Sequence, residues 1–181
     1  GHRPLKASIL VRIQVPQLTM YLFLVALGLC VTYFFLYFLF PAFFKNTAPV
    51  LGWSSVRSLG LIIAFSLLIF SVSFGISDPE LSNRVLHIFG GGFLSFLVCF
   101  LVVKDSGLSI NRFQFFVFSF LVVLSLGAVN EMLEYVLQNY FNFSFAKTAN
   151  DTWLDLISNS AGALIAGVFL TPFIKHSWNQ K

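Results

Sequence analysis

The stretch from Leu18 to Phe40 reads LTMYLFLVALGLCVTYFFLYFLF and carries no charged residue over 23 positions. About 20 apolar residues are enough for an α-helix to cross the hydrocarbon core of a bilayer. The stretch therefore predicts a transmembrane helix. Because it is too long for the apolar region of a signal peptide and lacks a small-residue cleavage site, we expect the helix to stay in the protein.

The rest of the chain has the same apolar character. Of its 181 residues, 57% are hydrophobic, 10% are charged and 24 are phenylalanine, whereas about 25% of the residues of a soluble domain are charged. Apolar runs between charged or turn-forming residues predict five spans, at residues 18–40, 58–77, 84–103, 113–137 and 152–174. We therefore expect an all-α integral membrane protein, with residues 1–181 forming a single polytopic domain without a soluble module.

The expected partners of such a chain are membrane lipids. Its formal net charge is +4, and the N-terminal stretch RPLKASILVRIQVPQ (residues 3–17) is basic, which is typical of a segment lying on anionic headgroups or of a solvated basic tail. Whether the protein forms an oligomer or has a protein partner stays open. Nucleic acid is not expected, because no soluble basic face exists to hold it.

Acidic residues are crowded into one part of the chain. Four of the seven, Glu131, Glu134, Asp151 and Asp155, lie within 25 residues. An ionisable group at membrane depth is costly unless it is paired, hydrated or bound to a cation. The crowding therefore predicts a functional site inside the membrane.

An up-and-down arrangement of five spans brings these residues to one membrane face, where the third span begins, the fourth ends and the fifth begins. Glu131 lies about 9 Å from the predicted end of the fourth span, at 1.5 Å per residue. Asp151, Asp155 and Asn159 recur every four residues and so share one helix face. We expect the third, fourth and fifth helices to pack around a polar site that also contains Arg84 and His87.

Small residues next to these polar positions favour close helix packing, since small side chains let helix backbones approach in lipid. They are Gly90, Gly91 and Gly92 in the third span, Gly127 in the fourth, and Ser158, Gly162 and Ala166 in the fifth.

The candidate catalytic residues are Glu131, Glu134, Asp155 and His87, and the same four could ligate a metal. Arg84, Asn159 and Asp151 are candidate binding residues. Four carboxylates beside one arginine cannot all stay ionised without compensation. The site would therefore hold either protons, as in a proton relay, or a divalent cation.

Oxygen ligands with a single histidine favour Mg²⁺, Mn²⁺ or Zn²⁺. Such an ion could activate water or polarise a phosphoryl or acyl group of a lipid headgroup. The sequence has no phosphate-binding glycine loop, no serine nucleophile elbow and no HExxH signature. Whether the protein is an enzyme stays open at this point.

Each candidate also has a purely structural interpretation. Asp151 could be a helix N-cap, with Asn150 as its rival, and Arg84 a headgroup anchor or an ion-pair partner. His87 could be a packed or hydrogen-bonded histidine. The remaining acids of the cluster could form a polar network that joins helices, and Asp78 and Glu80 would be solvated loop acids.

Three segments together resemble a known family: NRVLHIFGGG (83–92), NEMLEY (130–135) and DTWLDLISNSAGALIAG (151–167). They are similar to the VanZ-like small bacterial membrane proteins and to the YjdF-type inner-membrane proteins. The pattern of these proteins is an acidic-basic pair followed by His, a helix with paired Glu, and Asp-x-x-x-Asn-x-x-Gly at the start of the last span. The matching residues are Arg84, His87, Glu131, Glu134, Asp151, Asp155, Asn159 and Gly162, while Asn83 replaces the usual acid.

The resemblance implies a multi-pass protein of the bacterial inner membrane. The VanZ group is associated with resistance to glycopeptide antibiotics such as teicoplanin, which implies a role in the cell envelope. Our leading hypothesis is a site that binds or acts on an envelope lipid or lipid-linked intermediate. The alternative is a non-enzymatic helical subunit or small transporter whose acids form a proton relay or structural network. The functional hypothesis predicts that Glu131→Gln and Asp155→Asn spare folding and abolish function.

Overall fold

A computed structural model of the chain describes residues 5–44, 52–141 and 149–174, and all regular structure in these ranges is helical. The elements are α1 (Leu5–Phe43), α2 (Trp53–Phe74), α3 (Pro79–Val85), a π-helical segment (Leu86–Leu94), α4 (Ser95–Asp105), α5 (Arg112–Phe141), α6 (Ala149–Leu170) and a 3₁₀ turn (Thr171–Phe173). The basic segment at residues 3–17, which we expect on the headgroups or in solvent, has no described side chains. In the chain, α3, the π-helical segment and α4 follow one another without a break and form the third span.

Five stretches are long and apolar enough to cross a membrane: Phe23–Phe43, Trp53–Phe74, Pro79–Asp105, Arg112–Phe141 and Asn150–Phe173. The predicted all-α fold with five membrane spans is therefore confirmed. The second helix begins at Trp53 instead of Ser58, and Arg57 lies exposed within it. A long arginine side chain near a helix end can reach the headgroups, so it need not end the apolar span.

The third span begins earlier than predicted. Asp78 is the N-cap of α3, because its side chain accepts a hydrogen bond from the Glu80 amide at 2.9 Å, and Pro79 takes the first helical position. Proline is favoured there since its missing N–H would have no partner in the helix. The Asp78-Pro79 pair thus starts a helix, and Asp78 is a capping residue instead of a loop acid. Arg84 consequently lies in the second helical turn.

The π-helical segment packs against α6 in the most extensive contact between two elements of the described chain. The two backbones meet at Gly92 and Gly162. A Cβ atom on Gly162 would overlap the Ile88 carbonyl oxygen, and one on Gly92 would overlap the Asn159 carbonyl oxygen. Close approach therefore requires glycine at both positions, as the small-residue pattern predicted. Gly90 is different, because a Cβ there would meet only the Ile69 side chain at 3.9 Å.

A second group of contacts holds α1 against the bundle. The Tyr33 hydroxyl donates a 2.7 Å hydrogen bond to the Asp105 carboxylate at the end of α4. Tyr33, Phe40, Phe96 and Phe115 are fully buried, and the Phe40 ring meets Phe118 of α5 edge to face at 4.9 Å. These contacts fix the end of the bundle opposite the entry of α6.

Candidate functional site

Arg84 joins the third span to α6 through two ion pairs. Its Nη2 lies 2.6 Å from Asp151 Oδ1, and its Nη1 donates to Asp155 Oδ1. Asn83 donates a further hydrogen bond to Asp155 Oδ1 at 3.0 Å. The Asp155 side chain is 3% exposed and that of Arg84 is 17% exposed. Of the two interpretations of Arg84, the structure shows the ion-pair partner and not the headgroup anchor.

His87 lies deeper in the third span and contacts the same face of α6. Its Nδ1 is 3.3 Å from Asn159 Oδ1, and its Nε2 is 3.4 Å from Asp155 Oδ1. The residue is buried, with 8% of its surface exposed. Because α6 presents Asp151, Asp155 and Asn159 on one face, the two polar residues of the third span meet all three.

Glu131 completes the centre of the site from α5. One potential ligand atom from each of His87, Glu131 and Asp155 lies within 4.8 Å of the other two. Glu131 Oε1 is buried without a hydrogen-bond partner among the described residues, and the Thr152 side chain lies within hydrogen-bonding range of the Glu131 carboxyl group. A buried acceptor without a donor is rare in folded proteins, and a proton or a cation on this oxygen would satisfy it.

Glu134 lies beside this group but not within it. It is buried, and its Oε1 accepts a 2.9 Å hydrogen bond from Asn130 one helical turn earlier. Its charge is close enough to interact with both His87 and Glu131. Three of the four predicted metal ligands therefore converge, and Glu134 adds negative charge around them.

Asp151 lies at the rim of the site, with 27% of its side chain exposed. In the described part of the chain α6 begins at Ala149, so Asn150 and Asp151 are both inside the helix. The interpretation of either residue as the N-cap is therefore wrong. The Asp151 carboxylate pairs with Arg84 instead, and an acid in the first turn also interacts favourably with the helix dipole.

Three polar neighbours of the acids are not among the predicted site residues: Asn83, Asn130 and Thr152. Two of them had a recognisable signal. Asn130 precedes Glu134 by four residues, a spacing that brings side chains together on a helix. Asn83 occupies the position where the resembling families carry an acid, and it donates to Asp155.

The balance of charge determines what the site can bind. Four carboxylates face one guanidinium, and both Nη atoms of Arg84 are already paired with acids. A bare anion would meet no free arginine here and would be repelled by the surrounding carboxylates. The arrangement suits protons or a cation.

Comparison with known proteins places the chain in a family. No curated protein and no solved structure matches it. A family model described as "Predicted membrane protein (DUF2238)" matches residues 7–176, a range that contains every residue of the site. The match supports a multi-pass membrane protein in general and does not single out the VanZ-like or YjdF-type proteins. The chain therefore belongs to the DUF2238 family of predicted membrane proteins.

Proposed function

We propose that the protein binds a divalent cation between His87, Glu131 and Asp155, and that this cation engages the headgroup of an envelope lipid or lipid-linked intermediate. The observation that carries the proposal is the approach of three potential ligand atoms to within 4.8 Å of one another. The buried and unpartnered Oε1 of Glu131 supports it, because a cation would satisfy that oxygen.

The distances suit a small cation. His87 Nε2 and Asp155 Oδ1 are 3.4 Å apart, and two ligand atoms bound to zinc at about 2.0–2.1 Å subtend about 110° at that separation, close to a tetrahedral angle. A Glu131 oxygen that starts 4.8 Å from both atoms would need to move inward by about 1.3 Å to reach bonding distance. Its side chain has three rotatable bonds, so a movement of this size requires only a small torsional change.

The charge around the site favours a cation-dependent mode of headgroup binding. A phosphate group alone would meet Glu131, Glu134, Asp151 and Asp155 with no unpaired arginine. A bound divalent ion would offset part of this negative charge and would polarise a phosphoryl oxygen as a Lewis acid. The resemblance to VanZ-like proteins favours an envelope lipid as the source of that phosphate.

The cation is tested first, by thermal unfolding of the detergent-solubilised protein after chelation and after addition of Zn²⁺, Mn²⁺ or Mg²⁺. A ligand present at about 100 times its Kd stabilises a folded protein by about 2.7 kcal/mol, so at least one ion should raise the melting temperature. Glu131→Gln should abolish the shift. The control variant Glu80→Gln, which removes an exposed acid near the start of α3, should preserve it. A wild-type protein that no divalent ion stabilises would contradict the proposal.

The lipid is tested second, by native mass spectrometry of the protein released from mixed micelles that contain phosphatidylglycerol. Lipid retention should increase when the stabilising cation is present, and this increase should be absent from Glu131→Gln. Retention that is equal with and without the cation would mean that lipid binds elsewhere on the apolar surface.

One observation favours the alternative, a non-enzymatic structural or proton-relay network. Arg84 ties α3 to α6 through two ion pairs, as a purely structural polar network would. This alternative predicts that no divalent ion raises the melting temperature. The same unfolding experiment therefore separates the two functions.

A further inference from the structure

We infer that Asn159 is a positioning residue, which fixes the tautomer of His87 so that Nε2 stays unprotonated and available to the cation. The inference deepens the proposed function and rests on it, since Nε2 is the atom that would bind the ion. It starts from the contact between His87 Nδ1 and Asn159 Oδ1 at 3.3 Å.

An amide oxygen can only accept a hydrogen bond, so His87 Nδ1 must be the donor in this contact. A neutral imidazole carries a single N–H, and its other nitrogen then has a free lone pair. The lone pair of Nε2 points into the space shared with Asp155 Oδ1, 3.4 Å away. Two acceptors that face each other at this distance repel unless a proton or a cation lies between them. With the single ring proton on Nδ1, a bound cation would supply the positive charge.

The glycines of two neighbouring spans hold the Asn159 amide in place. A Cβ atom on Gly91 would overlap Asn159 Oδ1, and a Cβ on Gly127 would lie 3.0 Å from Asn159 Nδ2. The third and fourth spans therefore leave a space that fits this amide and no additional side chain. With 2% of its surface exposed, Asn159 has almost no contact with bulk water that could compete for its oxygen.

This arrangement matches a general feature of metal sites. A histidine that binds a metal through one nitrogen usually donates the other N–H to a neighbouring acceptor, and loss of that acceptor costs about 10- to 100-fold in metal affinity. Asn159 is the acceptor in this position, and it comes from the same helix as the candidate ligand Asp155. The helix α6 would thus supply both a ligand and the group that orients another ligand.

The test is ¹⁵N NMR of ring-labelled histidine in the full chain, with His2→Gln and His176→Gln introduced so that His87 gives the only ring signals. The measurement is made without metal at a pH of about 8, where an ordinary imidazole is neutral. We expect the proton on Nδ1. Asn159→Ala should shift the population toward the Nε2–H tautomer and weaken binding of the stabilising cation by about 10- to 100-fold.

Ser160→Ala is the matched control, because Ser160 follows Asn159 and its hydroxyl donates to the Leu156 carbonyl of the same helix. It should leave both the tautomer and the Kd unchanged. A proton on Nε2 or on both nitrogens of wild-type His87 would overturn the inference. Because this result comes from the wild-type protein, it tests the inference even if Asn159→Ala fails to fold. A wild-type protein that binds no cation would contradict the proposed function, whereas cation binding with the proton on Nε2 would contradict only the role of Asn159.

Discussion

Glu131 and Asp155 are both acids of the site, but their surroundings differ. Asp155 Oδ1 accepts from Arg84 and Asn83, whereas Glu131 Oε1 is buried without a partner in the described part of the chain. The sequence alone predicts that the isosteric substitutions at these positions both spare folding. The structure indicates different effects on stability for the two substitutions, because, of these two acids, only Asp155 is paired with an arginine.

Glu131→Gln should leave the stability of the cation-free protein unchanged or raise it by about 0.5–1 kcal/mol, since it removes one of four mutually repelling carboxylates. The new amide could also donate to Asp155. Denaturant- or heat-induced unfolding of the chelated protein in detergent measures this effect. A loss of more than about 2 kcal/mol would show that the Glu131 carboxylate has a structural role that its contacts do not indicate.

Arg84→Met should destabilise the protein by about 3 kcal/mol, the lower end of the range for breaking a buried ion pair, because Arg84 retains some solvent contact. The substitution keeps an apolar stem and leaves Asp151 and Asp155 without their cation. Arg57→Met, which removes an exposed arginine of α2, should change stability by less than about 0.5 kcal/mol. Adding Asp151→Asn to Arg84→Met should recover part of the loss, and additive losses would argue against coupling between the two residues.

Among the elements, the third span has both predictable and unpredictable features. The apolar run and its glycines predicted a helix that packs closely, and both features are present. The π-helical geometry of Leu86–Leu94 was not predictable, because a continuous apolar run carries no signal for i→i+5 bonding. This segment brings His87 toward Asn159 while Gly92 meets Gly162, so the unpredicted feature is part of how the site is assembled.

Gly162→Ala should destabilise the protein by at least about 3 kcal/mol, because the added methyl group would overlap backbone atoms of the third span that cannot rotate away. It should also weaken any response to divalent ions, since separating α6 from the third span moves Asp155 away from His87. Unfolding by heat or by dodecyl sulfate provides both measurements.

Gly60→Ala is the control for this prediction. A Cβ atom on Gly60 would meet nothing within 4 Å, and alanine is favoured over glycine in a helix interior by about 0.5–1 kcal/mol. The substitution in α2 should therefore be neutral or stabilising. Equal effects of the two substitutions would mean that the backbones of the third span and α6 are not in the close contact described above.

At the scale of the whole molecule, the topology explains why so much of the site was predictable. Helices that alternate in direction must bring the start of the third span, the end of α5 and the start of α6 to one membrane face. The spacing of the polar residues along each helix then indicates which helix faces are in contact. The contacts between particular atoms were not predictable. The Arg84 bridge to two acids and the Tyr33–Asp105 bond join residues about 70 positions apart, and the pairing depends on helix rotations that the sequence pattern leaves open.

The same topology predicts the side of the membrane from which the site is reached. Glu80 at the start of α3 and Asn139 near the end of α5 are exposed at the face that carries the site, whereas Ser109, between α4 and α5, is exposed at the opposite face. A cysteine introduced at position 80 or at position 139 should react with a membrane-impermeant maleimide from one side of sealed vesicles. A cysteine introduced at position 109 should react only from the other side. The native thiols provide the background control, because Cys99 is buried and Cys30 lies in a membrane span.

If the proposed cation reaches the site from this face, the partly exposed Asp151 is at its entrance. The ion that stabilises the protein should then be effective in sealed proteoliposomes only when supplied to the side where positions 80 and 139 are labelled, and tryptophan fluorescence can report the response because Trp153 lies on α6 between Asp151 and Asp155. Labelling of positions 80 and 139 from opposite sides would contradict the five-span topology. A response to the ion supplied only on the side of position 109 would contradict the location of the entrance while leaving the topology intact.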